Sequence, residues 1–299
     1  MKLLLLYMVL AQNIDPLVLE QKSLEAREIL KKESVGFKRA TKSQNSRIVS
    51  RDILLAAYSP LHDSIETIYL EVVVPKLLRD KSFKFKTKTP GFEVKRISGA
   101  GVTRLVFSVE GFVVLDACHL HLENNRTSPR NLCYFPYSDI FQDEYFSKNG
   151  FMFYKNTVRE AQDELCLTGA KSKAYPQKLL CEVFPDQWLM TLGAIEQMDD
   201  GEFFADPEYS IKKFLAHIAR NGENAFYYSV SVDGARGLMQ FMNNRRLPTY
   251  NQTRKNCPEI GLTADFEKGT ADMKNSIKAA ICLADVNLAR MPQSQKERF

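Results

Sequence analysis

The sequence predicts an α+β protein in two parts: a mixed amino-terminal domain with a small antiparallel meander over residues 12–205, and a mostly α carboxy-terminal domain over residues 206–299. Three observations predict it. The hydrophobic period becomes strictly alternating near residue 83 and returns to a helical spacing after Asp206-Pro207. Hydrophobic residues make up 44% of the 299 positions, enough for buried cores and too many for wholesale disorder.

Lys2 followed by the apolar run 3–11, ending Val9-Leu10-Ala11, reads as a short signal peptide cleaved after Ala11; the competing reading is a first buried helix or strand. Residues 17–33 carry Leu17, Leu19, Leu24, Ile29 and Leu30 among charges, which suits an amphipathic helix, and residues 34–46 are a polar loop. Residues 68–74 fit helix or strand equally. The alternation Phe83-Lys84-Phe85-Lys86, the turn signal Pro90-Gly91 and the β-branched or aromatic runs 92–97, 102–107 and 112–115 predict one meander over about 82–118. Its lysines suit a solvated sheet face, or a surface for an anionic polymer. The aromatic-dense stretch 134–155 fits core packing, or a sugar-lining groove.

Ile211, Phe214, Leu215 and Ile218 mark a helix stopped by Asn221-Gly222. A last helix over about 270–290 buries Met273, Ile277, Ala280, Ile281, Ala284 and Leu288 and ends at Pro292.

The six cysteines are even in number and contain no CxxC, which fits an oxidising compartment and not a zinc ribbon. Cys118-His119-Leu120-His121 with Cys133 matches no zinc template, so no metal is expected. Asn125-Arg126-Thr127 and Asn251-Gln252-Thr253 are glycosylation sequons, meaningful only in a eukaryotic secretory pathway. No run of 18 apolar residues exists, so no spanning helix is expected. A net charge of +5 without a basic stripe gives no basis for a nucleic-acid partner.

Glu223-Asn224-Ala225-Phe226 opens a segment that continues through Val230-Ser231 to Gly234-Ala235-Arg236-Gly237-Leu238-Met239-Gln240. A carboxyl just past a helix end, beside apolar and aromatic residues, should be partly desolvated and pushed toward the neutral form that can protonate a glycosidic oxygen. The glycines let backbone approach closely, either to itself or to a sugar. Gln240 offers both a donor and an acceptor.

This string resembles the lytic transglycosylases, the SLT-domain enzymes that cleave peptidoglycan and share their fold with goose-type lysozyme. The family pattern has a Glu, a small polar residue and an aromatic, then Val-Ser, then Gly-Ala-x-Gly-Leu-Met-Gln. Tyr250, Pro258, Leu262, Asp265-Phe266-Glu267-x-Gly269 and the last helix also look like a subgroup of it, so the resemblance covers about 207–292. It implies a lysozyme-like catalytic domain and a periplasmic or secreted protein acting on peptidoglycan glycan strands without a cofactor. By the same resemblance Glu223 is the acid and then base, while Ser231, Gln240, Met239 and Met242 contact substrate. The family needs one carboxylate, because the sugar's 6-hydroxyl closes on C1 and leaves a 1,6-anhydro end; if a second exists, Asp233 and Asp265 are the candidates, the competing reading of both being a turn residue or a helix-start residue.

Three departures stand out. Asn224 replaces the usual Ser, and Asn221-Gly222 precedes Glu223 where the family continues a helix. An Ala-Tyr-Asn-type segment is missing after the last helix, which implies a fragment or a groove completed by the amino-terminal region; Tyr250-Asn251 lies on the wrong element to replace it. The competing readings are a hydrolytic goose-type muramidase and a non-catalytic wall-binding protein.

Overall fold

A computed structural model describes residues 14–39, 48–73, 84–98, 106–121, 130–135 and 139–292, apart from 228, 232 and 245. The proposed signal peptide, the Asn125 sequon, Phe83 and residues 293–299 lie outside them. The protein is α+β, and its strands pair antiparallel. The chain forms two compact units, Met1–Phe146 and Ser147–Phe299. The boundary is therefore not the expected one at residues 205–206. Asp206-Pro207 is a junction between two helices inside the second unit: the Asp206 carboxylate accepts from Tyr209 N at 3.0 Å, and Pro207 fills the first helical position.

In the first unit, helix α1 (Pro16–Lys31) starts where Asp15 accepts from Leu17 N, and it buries Leu19, Ser23, Ala26 and Leu30 on one stripe. Strands β1 (Phe37–Arg39), β2 (Ile48–Ser59), β3 (Ser64–Val73), β4 (Phe85–Thr87), β7 (Val113–His121) and β8 (Arg130–Tyr134) form one sheet, in the order β4-β3-β2-β7-β8 with β1 also on β2. Strands β5 (Val94–Ser98) and β6 (Val106–Val109) pair separately.

The ambiguous residues 68–74 fall on β3 up to Val73: Leu70 pairs with Ile53, and Ile68, Leu70 and Val72 are buried while Tyr69 and Glu71 between them are half-buried. The meander is not a single one. Its strands are antiparallel, but β4 joins β3 and β7 joins β2, because the run Ile53 to Tyr58 is buried throughout and needs a partner on each side. Lys84, Lys86 and Lys88 are exposed along β4, at the sheet edge, where charge discourages pairing with another chain. Arg27 forks onto the fully buried Asp116 of β7, with Nη2 2.9 Å from Oδ1. Cys118 and Cys133 face each other across β7 and β8 and form a disulfide, so neither is a thiolate for a metal.

The second unit is mostly helical: α2 (Glu144–Leu167, which carries the boundary), α3 (Asp186–Gln197), α4 (Asp200–Ala205), α5 (Pro207–Asn221), α6 (Thr249–Asn256), α7 (Phe266–Ala271) and α8 (Met273–Ala289). Helix α8 is its centre. All of the expected stripe is buried except Ala284, which is half-buried. Asp285, on α8 and fully buried, accepts from the Ser172 hydroxyl at 2.5 Å and Lys173 N at 2.7 Å, which anchors the 170–179 loop. Disulfides Cys166–Cys181 and Cys257–Cys282 close the remaining cysteines. Of the aromatic stretch, Tyr134, Phe141, Phe146 and Tyr154 are buried and Phe151 is exposed. The second sequon lies on α6, with Thr253 buried and its hydroxyl donating to Thr249 O. No helix among the described residues is long and apolar enough to cross a membrane.

Candidate functional site

Helix α5 ends where the sequence says it should. Gly222 adopts φ +53°, a conformation that needs no Cβ, and its N–H closes on Ile218 O. The next residues wind one tight turn, Gly222–Asn224, which Ala225 N closes by donating to Gly222 O at 3.1 Å. Glu223 therefore projects from the first turn after the helix and not from the helix itself.

The turn opens into a groove of about 610 Å³ within the second unit. One wall is α2, with Phe153, Asn156, Thr157 and Glu160; the other is the α7–α8 junction, with Lys268, Ala271, Asp272, Met273 and Lys274; Glu223, Asn224 and Tyr227 complete the lining. Among the described residues the Glu223 carboxyl has no hydrogen-bond or ion-pair partner. The other charges are mostly engaged. Lys274 Nζ lies 2.8 Å from Glu164 and 3.6 Å from Glu160, and Lys278 lies 2.7 Å from Glu164. Hydrogen bonds from Lys274 and Lys278 hold the Glu164 carboxyl below the usual range. Asp272 caps α8 by accepting from Asn275 N.

The expected desolvation of Glu223 is absent. Glu223 is exposed, because the apolar residues after it turn inward: Ala225 and Phe226 are buried, and Phe226 stacks on Phe214 with ring centres 5.7 Å apart.

The four expected substrate contacts lie outside the lining. Ser231 closes a tight turn, its hydroxyl accepting from Ala235 N at 3.0 Å. Met239 is buried in the core. Met242, half-buried, exchanges hydrogen bonds with Thr249. Gln240 sits at φ +45° and turns its amide inward, Nε2 donating to Gly237 O at 2.8 Å and Ser229 Oγ at 3.0 Å. Gln197 of α3 completes the clamp, donating to Gly237 O and Leu238 O and accepting from Ser229 Oγ. Gly237, at φ +75°, presses so closely on α7 that a Cβ would lie 1.8 Å from Thr270 O. The glycine thus serves backbone approach to the protein itself.

Asp233 and Asp265 are not groove carboxylates either. Asp233 lies in the exposed turn before Gly234, and Asp265 caps α7 by accepting from Lys268 N. Tyr250 is buried, its hydroxyl donating to Thr263 O and accepting from Asn275 Nδ2. The second carboxylates that do line the groove, Glu160 and Asp272, escaped the sequence argument, as did the whole α2 wall. The 153, 156, 157, 160 spacing on one helix face was the available signal. No group of His, Cys, Asp and Glu among the described residues could hold a metal ion. No family model, no curated protein and no solved structure matches the chain.

Proposed function

We propose that the second unit is a peptidoglycan lytic transglycosylase, with Glu223 as its acid and base. The observation that carries this reading is an unpartnered carboxyl on a tight turn, opening into a groove lined by aromatic, amide and hydroxyl groups. Phe153 and Tyr227 offer ring faces for sugars, while Asn156, Thr157 and Asn224 offer hydrogen bonds for hydroxyl and N-acetyl groups. The resemblance of the 223–240 string to the family supplies the substrate.

In this reading Glu223 donates its proton to the β-1,4 glycosidic oxygen between N-acetylmuramic acid and N-acetylglucosamine, and the C1–O bond breaks. The N-acetyl oxygen of the substrate stabilises the positive centre at C1. The Glu223 carboxylate then takes the proton of the 6-hydroxyl as that oxygen bonds to C1, which regenerates the acid and leaves a 1,6-anhydro end. A bound strand, covering the exposed carboxyl, would supply the desolvation that the free protein lacks. Met239, Gln240 and Ser231 act from behind, by shaping the backbone that carries the site. The cell envelope is the proposed location, since three disulfides belong to an oxidising compartment.

One observation favours a hydrolytic second reading: Glu160, on the α2 wall, could orient a water in place of the 6-hydroxyl. Purified peptidoglycan sacculi test both. Wild type should clear the suspension, and Glu223→Gln should lose about a hundredfold to ten-thousandfold in rate. Anhydro ends by mass spectrometry support the transglycosylase, and reducing ends support the muramidase. No clearing by wild type overturns the enzyme reading and leaves a wall-binding protein, and equal clearing by wild type and Glu223→Gln overturns Glu223 as the acid.

A further inference from the structure

The turn that presents Glu223 is closed by backbone hydrogen bonds, Ala225 N to Gly222 O and Tyr227 N to Asn224 O, and among the described residues no side chain of its own ties it down. Gly222 carries no side chain, and the Glu223 carboxyl has no partner among the described residues. Its placement against the rest of the unit matters, because a carboxyl displaced by about 1 Å from its reacting oxygen can cost a hundredfold in rate.

That holder lies one and a half turns back on α5. His217 Nε2 is 2.6 Å from Ala225 O, the residue just after the turn. His217 Nδ1 is 3.3 Å from Nδ2 of Asn221, the residue just before it. The partners dictate the ring's chemistry. A carbonyl oxygen can only accept, so Nε2 carries the hydrogen. The Asn221 amide nitrogen also donates to His217 O at 3.0 Å, which fixes it as the nitrogen, so Nδ1 presents a lone pair. The ring also lies tilted against Phe226, centres 5.8 Å apart, and Phe226 is buried. One half-buried imidazole therefore grips both flanks of the three-residue turn that contains Glu223, and its orientation is set by the core.

We infer that His217 is the positioning residue of this site: its neutral imidazole clamps Asn221 and Ala225 and so fixes where Glu223 enters the groove. The inference rests on Glu223 being the acid. His217 does not line the groove and touches no substrate. Its effect runs through the Ala225 carbonyl, so it belongs to the rate of the chemical step and not to binding.

The test uses the full chain with His217→Ala, His217→Gln and Asn221→Ala, assayed on soluble glycan strands. His217→Ala should lower kcat about ten- to a hundredfold and leave KM within about twofold. His217→Gln keeps an N–H for Ala225 O and should restore most of kcat. Asn221→Ala removes one jaw and should give a smaller loss of the same kind, which also serves if His217→Ala does not fold. Hydrogen exchange gives a readout that needs no activity: the Ala225 amide should exchange faster in His217→Ala than in wild type or His217→Gln. An unchanged kcat, a raised KM at full kcat, a glutamine variant no better than alanine, or unchanged exchange would each overturn the clamp. If wild type leaves every glycan uncut, the enzyme reading falls, and exchange alone decides the clamp.

Discussion

Replacing Cys257 and Cys282 by alanine should destabilise the second unit by an amount the covalent topology sets. The bond joins the end of α6 to the middle of α8 across a sequence separation of 25 residues. The loop it closes contains α7 and the start of α8, hence the groove wall from Lys268 to Lys274. Freeing a loop of that length gives the unfolded chain an entropy worth about 3.5 kcal/mol at 25 °C. For a unit of this size each kcal/mol moves the melting midpoint by about 2–4 °C, so the variant should melt about 10 °C lower. Reducing agent is a poor substitute for mutation, because it would also open Cys118–Cys133 and Cys166–Cys181. Urea unfolding followed by far-ultraviolet circular dichroism measures the loss. Each single substitution already breaks the bond, so Cys257→Ala and Cys282→Ala should each lose nearly as much as the double variant. A double-variant loss below about 1 kcal/mol, or single losses that simply add, would refute the loop-entropy argument.

Two further outcomes follow from the geometry. Gly237→Ala should cost about 3 kcal/mol or more in thermal unfolding, since it adds a collision with Thr270 O to an unfavourable φ of +75°, whereas Gly234→Ala, at φ +88° with open space around it, should cost only about 1 kcal/mol; equal costs would show that the contact with α7 is dispensable. Glu164 titrates lower in the folded protein than its ordinary 4.5, so its pairing with Lys274 and Lys278 stabilises the fold above that pH and is lost as pH falls through the depressed value. Wild type should therefore lose stability on acidification below about pH 4.5 more steeply than Glu164→Gln, and parallel pH curves would show that the pair contributes nothing.

Some of this fold is written locally in the sequence and some is not. Helix α5 could be read because its signals are adjacent to it: Asp206-Pro207 supplies cap and first position, and Gly222 supplies the stop. The last helix was legible from its stripe. Residues 68–74 were not, because Ile68, Leu70 and Val72 alternate too briefly to exclude a helix, and only pairing with Ile53 and its neighbours decides the matter. The meander was misassembled for the same reason, since β4 and β7 go to strands that lie earlier in the chain. At the site, Glu223 was legible from its string. Gln240 was legible as a residue and illegible as a direction: its φ of +45° swings the amide toward Gly237. The α2 wall was out of reach, because nothing near Phe153 or Glu160 in the sequence announces that the start of α8 will fold against them.

The disulfides share a property that concerns how the protein is made. Cys118 joins Cys133, Cys166 joins Cys181, and Cys257 joins Cys282. Every cysteine bonds to its next neighbour along the chain, and among the pairings that six cysteines allow only one does this. A chain entering an oxidising space from its amino terminus meets each correct partner before any wrong one arrives. Simple oxidation in order of emergence then yields the native set, with no reshuffling step to wait for.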